Sequence, residues 1–378
     1  MKKDYLLTPG PTPLPPQVSL AMAKPIIHHR TPQFQEILKE ASAGLKWVFQ
    51  TVNDVFIISS SGTGAMEAAV VNLLSAGDTA LTVQGGKFGE RWTELCQAYG
   101  IKAEVLDVEW GKAVSPDEIK KRLKNNPQIK AVFATLCETS TGVDNDIQAI
   151  AAVVKETPAV LVVDAISGLG AVDLKPDAWG VDVVVAGSQK GLMLPPGLGF
   201  IAVSPKAWKL IEASKTGRYY LDLRKAKKAL DKTDTPFTSS ITLIIALNEA
   251  LKMMQQDGLE NIFKRHKVMA QATRAAVKAL GLDLFAPTAA SDGVTAACVP
   301  AGIDGEKLVK TMRDTYGVTI AGGQAELKGK VIRIAHMGFI TESDIIMGIT
   351  CLEKVLTQMG YKFTLGAGVK AAEEVFLK

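Results

Sequence analysis

Lys190 follows the apolar run Val181-Asp182-Val183-Val184-Val185-Ala186 through Gly187-Ser188-Gln189. Asp164 closes a second apolar run, Val160-Leu161-Val162-Val163. A lysine delivered by the end of a buried strand can form a Schiff base with an aldehyde. A carboxylate delivered by the next strand can keep a ring nitrogen protonated. Together they meet the needs of pyridoxal 5′-phosphate chemistry, in which the lysine holds the aldehyde carbon and the acid makes the ring an electron acceptor. Taken singly, each also reads as a solvated lysine or a turn-capping aspartate.

Four other segments bear on this pairing. Ser59-Ser60-Ser61-Gly62-Thr63-Gly64-Ala65 is a small-residue loop between a strand and a helix, where backbone N–H groups either bind phosphate or simply cap the helix. It is neither a Walker A loop nor G-x-G-x-x-G. Gly85-Gly86-Lys87-Phe88-Gly89-Glu90-Arg91 offers a ring for stacking, or a turn whose Phe packs inward. Glu138-Thr139-Ser140-Thr141-Gly142-Val143 clusters hydroxyls that suit a cofactor's phenolic oxygen, or an ordinary turn. Arg333 lies inside the apolar run Val331-Ile332-Arg333-Ile334-Ala335, so it must meet an anion, either a substrate carboxylate or a buried acid of the chain. His336, His28 and His29 lack metal-ligand spacing with other donors, so no metal site is expected.

Elements must carry these segments to one place. Apolar runs at 55–58, 79–83, 103–107, 131–135, 160–164 and 181–186 read as strands, alternating with helical patterns at 33–49, 65–74, 90–99, 116–125 and 147–157. Such alternation predicts an α/β fold with a mostly parallel sheet covered on both faces. A seventh strand, 200–204, follows Pro195-Pro196-Gly197-Leu198-Gly199, too short for a helical crossover, and is predicted antiparallel. Helices at 241–254 and 258–280 follow, then strands at 294–299 and 331–335 with two helices, a smaller α+β domain. The division expected is an arm over the active site at 1–16, with five prolines, a large domain at 17–255 and a small one at 256–378. The chemistry-bearing loops of the large domain all follow the C-terminal ends of strands, where open α/β sheets gather ligands.

The composition narrows the class. A 378-residue chain with 47% hydrophobic and 22% charged residues suits a two-domain enzyme. Its net charge of +4 is dispersed, and the basic stretch 224–232 reads as a helix face without stacking aromatics, so no nucleic-acid partner is expected. Four scattered cysteines, Cys96, Cys137, Cys298 and Cys351, form no C-x-x-C pair. With no signal-peptide pattern and no run near ~20 apolar residues, the expected location is the cytoplasm, away from membranes.

The motifs in sequence order are T-P-G-P-T at 8–12, H-H-R-T-P at 28–32, S-G-T-G-A-M-E-A at 61–68, G-x-F-G-x-R at 86–91, E-T-S-T-G-V at 138–143, V-D-A-I-S at 163–167, G-S-Q-K-G at 187–191 and R-I-A-H-M-G at 333–338. With them the chain resembles, nearly end to end, the class V PLP-dependent aminotransferases of fold type I. Within that family it looks nearest to the alanine–glyoxylate, serine–glyoxylate and serine–pyruvate aminotransferases.

The resemblance implies a seven-stranded fold type I domain and specific roles. Lys190 would carry the cofactor and move the proton, and Asp164 would pair with the ring nitrogen. Phe88 would stack on one face of the ring and Ile166 on the other. Gly62, Thr63 and Gln189 would bind phosphate, while Thr139 would reach the phenolic oxygen. Thr235 and Thr238 would reach the phosphate of a neighbouring subunit, implying a homodimer with its active site at the interface. Arg333 would clamp the substrate carboxylate beside Gly10. Phe88 stands where relatives often have Trp, and Thr139 where they often have Ser; both replacements keep the interaction. The implied reaction moves an amino group from alanine or serine to a 2-oxo acid such as glyoxylate or pyruvate, in ping-pong fashion. Alternatives are another class V enzyme, such as an aminoethylphosphonate aminotransferase or a cysteine desulfurase, and a hydrogenase-associated subunit without the cofactor. No cysteine here sits in a Gly/Ser-rich loop where a desulfurase needs one.

Overall fold

The computed structural model describes residues 3–378. The first two residues of the expected arm lie outside that range. The strands, in chain order, are β1 (Tyr5–Leu6), β2 (Val55–Ile58), β3 (Thr79–Gln84), β4 (Lys102–Asp107), β5 (Ile129–Thr135), β6 (Cys137–Glu138), β7 (Val143–Asp144), β8 (Val160–Asp164), β9 (Val183–Gly187), β10 (Gly199–Val203), β11 (Val294–Cys298), β12 (Val318–Thr319), β13 (Ala321–Gly322) and β14 (Val331–Ala335).

The central sheet has seven strands in the order β2-β10-β9-β8-β5-β3-β4. From β9 to β4 every pairing is parallel. Strand β10 runs antiparallel to both neighbours, as its short connection from β9 requires. The mostly parallel seven-stranded reading therefore holds, and the physical reason is visible in β8. All five of its residues are buried, with Leu161 and Val163 in one core and Val160 and Val162 in the other. A strand with apolar residues on both faces needs helices on both faces. The first core is covered by helices Pro32–Val48, Ile147–Lys155 and Ile241–Asp257. Helices Gly62–Leu73, Lys87–Ala98 and Pro205–Ala213 cover the second.

A third core lies under the antiparallel sheet β11-β14-β13. It gathers helices Leu259–Ala279, Gly305–Tyr316, Glu342–Gln358 and Ala367–Phe376. Leu7 joins this core, because β1 pairs in parallel with β12. So the proline-rich start is tied to the C-terminal sheet before it crosses toward Lys190, and Pro16 opens a helix, Pro16–Met22.

Two helices start three residues earlier than expected, and one further helix appears in the C-terminal part. Gly62 and Lys87, not residues 65 and 90, begin their helices. After residue 284 there are three α-helices rather than two, the extra one being Ala367–Phe376. That helix has glycine at its N-cap and no side-chain cap of its own. Buried Glu353, from the preceding helix, supplies the cap: its carboxylate accepts from Gly366 N (2.7 Å), Gly368 N (2.9 Å) and Val369 N (3.1 Å). Replacing Glu353 by Ala should lower the unfolding free energy by about 2 kcal/mol, since three helix-start donors lose their acceptor. Urea unfolding checks the magnitude. Hydrogen exchange should speed first at residues 366–369, and uniform exchange would refute the cap's role.

Candidate active site

Strand β9 ends at Gly187, and the chain then turns tightly around Ser188. Its N–H donates to Leu198 O (2.9 Å), and its hydroxyl donates to Pro195 O (2.7 Å). This turn lifts Lys190 off the sheet's carboxyl edge. Two further bonds grip the lysine's backbone carbonyl, from Met193 N (3.0 Å) and from Thr12 Oγ1 (3.0 Å). Lys190 is 7% exposed, and its Nζ donates to the carbonyl of Pro9. Gly10, at φ +104°, packs so closely that a Cβ there would strike the Lys190 side chain. Any side chain at residue 10 would therefore displace the amine.

Burial pushes the Lys190 pKa down to about 8, against the pull of Cys137 and Asp164 and with the push of Arg333 and Arg91. Asp164, at the end of adjacent β8, is 3% exposed. One hydrogen bond reaches its carboxylate, from Ile166 N to Oδ1 (2.8 Å). It makes no salt bridge among the described residues, and burial raises its pKa to about 7. A carboxylate kept dry without a cation is costly unless a ligand supplies the positive partner.

Ile166 lies beside the start of helix Gly62–Leu73. A Cβ on Gly62 would sit 2.6 Å from Ile166 Cδ1, so only glycine lets this turn approach. Gly62 and Thr63 occupy the first helical turn, where backbone N–H groups lack intrahelical acceptors. The side-chain Oε1 of Gln189 is buried without a hydrogen-bond partner. It lies close to Gly187, which in turn packs near Gly62.

On the opposite flank, Phe88 stands in the first turn of helix Lys87–Ala98, its ring half-buried and 5.1 Å from the Arg91 guanidinium. Thr139 is buried, with its hydroxyl 3.4 Å from Ser167 Oγ. Arg333, 5% exposed on β14, is flanked in register by Ala296 and Ala321. Its Nε donates to Gly322 O (3.0 Å) and its Nη1 to Thr139 O (2.8 Å), while Nη2 makes no hydrogen bond among the described residues. Burial lowers its pKa to about 10, which leaves it cationic at neutral pH. No carboxylate lies within salt-bridge distance among the described residues, so the reading of Arg333 as half of a structural ion pair is excluded.

Thr235 and Thr238 stand apart from this cluster. They line a separate pocket with Ser59, Tyr220 and Phe237, and the Thr235 hydroxyl donates to Phe237 O (2.8 Å). Sequence reasoning missed several supports. Glu138 is buried under the start of helix Lys87–Ala98. His266 accepts from Gly338 N at Nε2 (3.1 Å) and donates from Nδ1 to Ala171 O (3.2 Å). Gly338 in turn abuts Thr12 and the Lys190 carbonyl. Burial lowers the His266 pKa to about 4, so the ring is neutral. Only its burial, invisible in the local sequence, distinguishes it.

The family profile aminotransferase class-V matches residues 4–345. The chain belongs to the class V aminotransferases. This aminotransferase is 47% identical to a Synechococcus protein named soluble hydrogenase, small subunit, over 99% of this chain and 98% of that one. It is 38% identical to the serine–glyoxylate aminotransferase of Methylorubrum extorquens, over 98% and 95% of the two chains. The solved structure of ureidoglycine–glyoxylate aminotransferase from Bacillus subtilis superposes with a TM-score of 0.95 at 29% identity, covering 100% of this chain and 99% of that one.

The family implies pyridoxal phosphate, and the residues present fit it. A dry lysine, a dry carboxylate lacking a cation, and a helix start with no side-chain cap are the groups such a ligand would satisfy. If Lys190 takes the cofactor's aldehyde, only its neutral amine has the lone pair to do so. The rate at which the cofactor-free aminotransferase takes up pyridoxal phosphate should rise about tenfold from pH 6 to 7 and level off above 8. Visible absorbance follows the uptake. A midpoint near the ordinary lysine value of 10.5 would show that burial does not control this amine.

Proposed function

We propose that this aminotransferase moves the amino group of alanine or serine to a 2-oxo acid such as glyoxylate, using pyridoxal phosphate held on Lys190. One observation carries the reading. Two buried ionisable groups, Asp164 at the end of β8 and Lys190 just past the end of β9, make no salt bridge among the described residues, and an arginine with an open Nη2 bonds the Thr139 carbonyl nearby. The names of relatives that act on glyoxylate support the acceptor.

When bound, pyridoxal phosphate supplies the aldehyde that captures an amino group and a ring that accepts the electron pair left at Cα. The chain does the rest. Gly62 and Thr63 N–H groups and the Gln189 side chain bind the phosphate. Asp164 holds a proton on the ring nitrogen, and that cation returns its own carboxyl to the ionised form. Phe88 and Ile166 fix the ring's plane, and Thr139 donates to its phenolic oxygen. Arg333 Nη2 binds the substrate carboxylate, which orients Cα toward Lys190 Nζ. That amine, its pKa lowered to about 8 by burial, would take the Cα proton and hold it at Nζ. Buried Pro9, whose carbonyl bonds Nζ, covers Lys190 on this side.

We further propose a homodimer in which Thr235 and Thr238 complete the phosphate site of the other subunit. Thr238 is exposed beside Phe237, whose ring packs with those of Tyr219 and Tyr220, and both threonines line a pocket apart from their own chain's Lys190, which supports this.

Half-reactions with alanine, serine, aminoethylphosphonate and cysteine, read as loss of the visible band, test the donor. Alanine or serine should react fastest, and cysteine giving sulfide instead would overturn the reading. The Lys190→Ala variant should lose both the band and turnover. Arg333→Gln should lower kcat/KM for amino acids about a hundredfold, roughly 2.7 kcal/mol of transition-state binding. A protein that stays colourless with added pyridoxal phosphate would favour the cofactor-free role.

A further inference from the structure

Phe88 has little of its own to hold it still. Its ring is half-buried, belongs to none of the hydrophobic cores, and touches a mobile type of side chain, Arg91. Its position is therefore set by the backbone of the helix start it occupies. That start cannot cap itself, because the N-cap residue is Gly86, and three N–H groups need acceptors.

A single distant segment provides all three. Lys87 N donates to Ser140 Oγ (3.1 Å), Phe88 N to Glu138 Oε2 (3.1 Å), and Gly89 N to Glu138 Oε2 (2.9 Å). Ser140 Oγ donates in turn to Glu138 Oε1 (2.5 Å). Glu138 is 2% exposed and has no salt bridge among the described residues, so the helix-start N–H groups, together with the Ser140 hydroxyl and N–H, are what compensate its burial. The fit leaves no slack. A Cβ on Gly86 would sit 2.5 Å from Glu138 Cδ, and one on Gly89 would sit 2.6 Å from Val83 O. Phe88 is thus wedged between the end of β3 and the Glu138 carboxylate.

We propose that Glu138 is a positioning residue that fixes Phe88 against the cofactor ring by capping the first turn of helix Lys87–Ala98. The inference rests on the stacking role given to Phe88 above. The same tripeptide serves two more groups, because Thr139 carries the hydroxyl and its carbonyl holds Arg333 Nη1.

A double-mutant cycle on pyridoxal phosphate affinity tests the proposal, using cofactor-free protein titrated by absorbance. Hydrogen exchange at residues 87–89 is read in parallel without the cofactor. Phe88→Ala should weaken binding about tenfold, the size of one lost aromatic stacking contact. Glu138→Gln should weaken it about fivefold and speed exchange at Phe88 and Gly89. In the Phe88→Ala background, Glu138→Gln should cost less than twofold more, since there is no ring left to position. A purely structural role would lower thermal stability and affinity equally in both backgrounds, and that result overturns the proposal. An unchanged affinity in Phe88→Ala instead refutes the stacking role itself, and the proposal with it. Should Glu138→Gln fail to fold, Ser140→Ala enters the same cycle, with a threefold loss expected in the Phe88 background only. A loss of equal size in both backgrounds would again overturn the idea.

Discussion

The structure is organised around keeping ionisable groups dry at the carboxyl ends of parallel strands without neutralising them. Strands β8 and β9 pair in register through Asp164 and Val185, so an acid and, after one tight turn, a lysine emerge side by side. An ordinary fold would pair them or expose them. Here the chain offers mostly neutral partners: the Ile166 N–H for Asp164, the Pro9 carbonyl for Lys190, and the Gly322 and Thr139 carbonyls for Arg333. Dipoles orient each group without pairing its charge. The displaced pKa values of Asp164 and Lys190 are the mark of that arrangement, with burial the leading cause in each.

Holding such groups requires the surrounding backbone to be fixed from several directions. The arm is anchored at one end by β1 on β12 and by Leu7 in the third core. Its other end bonds Lys190 through Pro9 and Thr12. Gly338, following β14, presses on the same lysine's carbonyl, and His266 holds Gly338 while also bonding Ala171 beyond β8. Lys190 is thus bracketed by elements that belong to the C-terminal sheet. Arg333 on β14 bonds Thr139 beyond β5, which sets the distance between the guanidinium and the lysine by backbone contacts.

Buried glutamates recur in this design. Glu138 and Glu353 each reach the start of a helix whose N-cap is glycine. In both cases the carboxylate takes N–H groups that the local sequence leaves open, and the glycines permit its close approach. These two sites account for two of the helix starts that sequence patterns misjudge. Near Lys87 the local signal is a pair of glycines, and near Ala367 it is Gly366-Ala367-Gly368. Both look like turns because the acceptor comes from elsewhere in the chain.

Much was legible before any coordinates. Continuous apolar runs require strands buried on both faces, so the parallel sheet and its helical layers follow from β8 and β9 alone. The short link 195–199 dictates the antiparallel strand β10, and Lys190, Asp164 and Arg333 stand out because charge inside or just after an apolar run is expensive. What the sequence left open was whether each motif was a site or a cap. For Arg333, only the fold reveals hydrogen bonds to carbonyls and no salt bridge among the described residues. It also brought in Glu138, His266 and the Pro9 carbonyl, whose roles depend on partners 49, 72 and 181 residues away in the chain. Local pattern can specify which residues bear charge and which elements carry them. Hydrogen bonds across such separations are properties of the folded chain, and they determine which of those charges remain free to act.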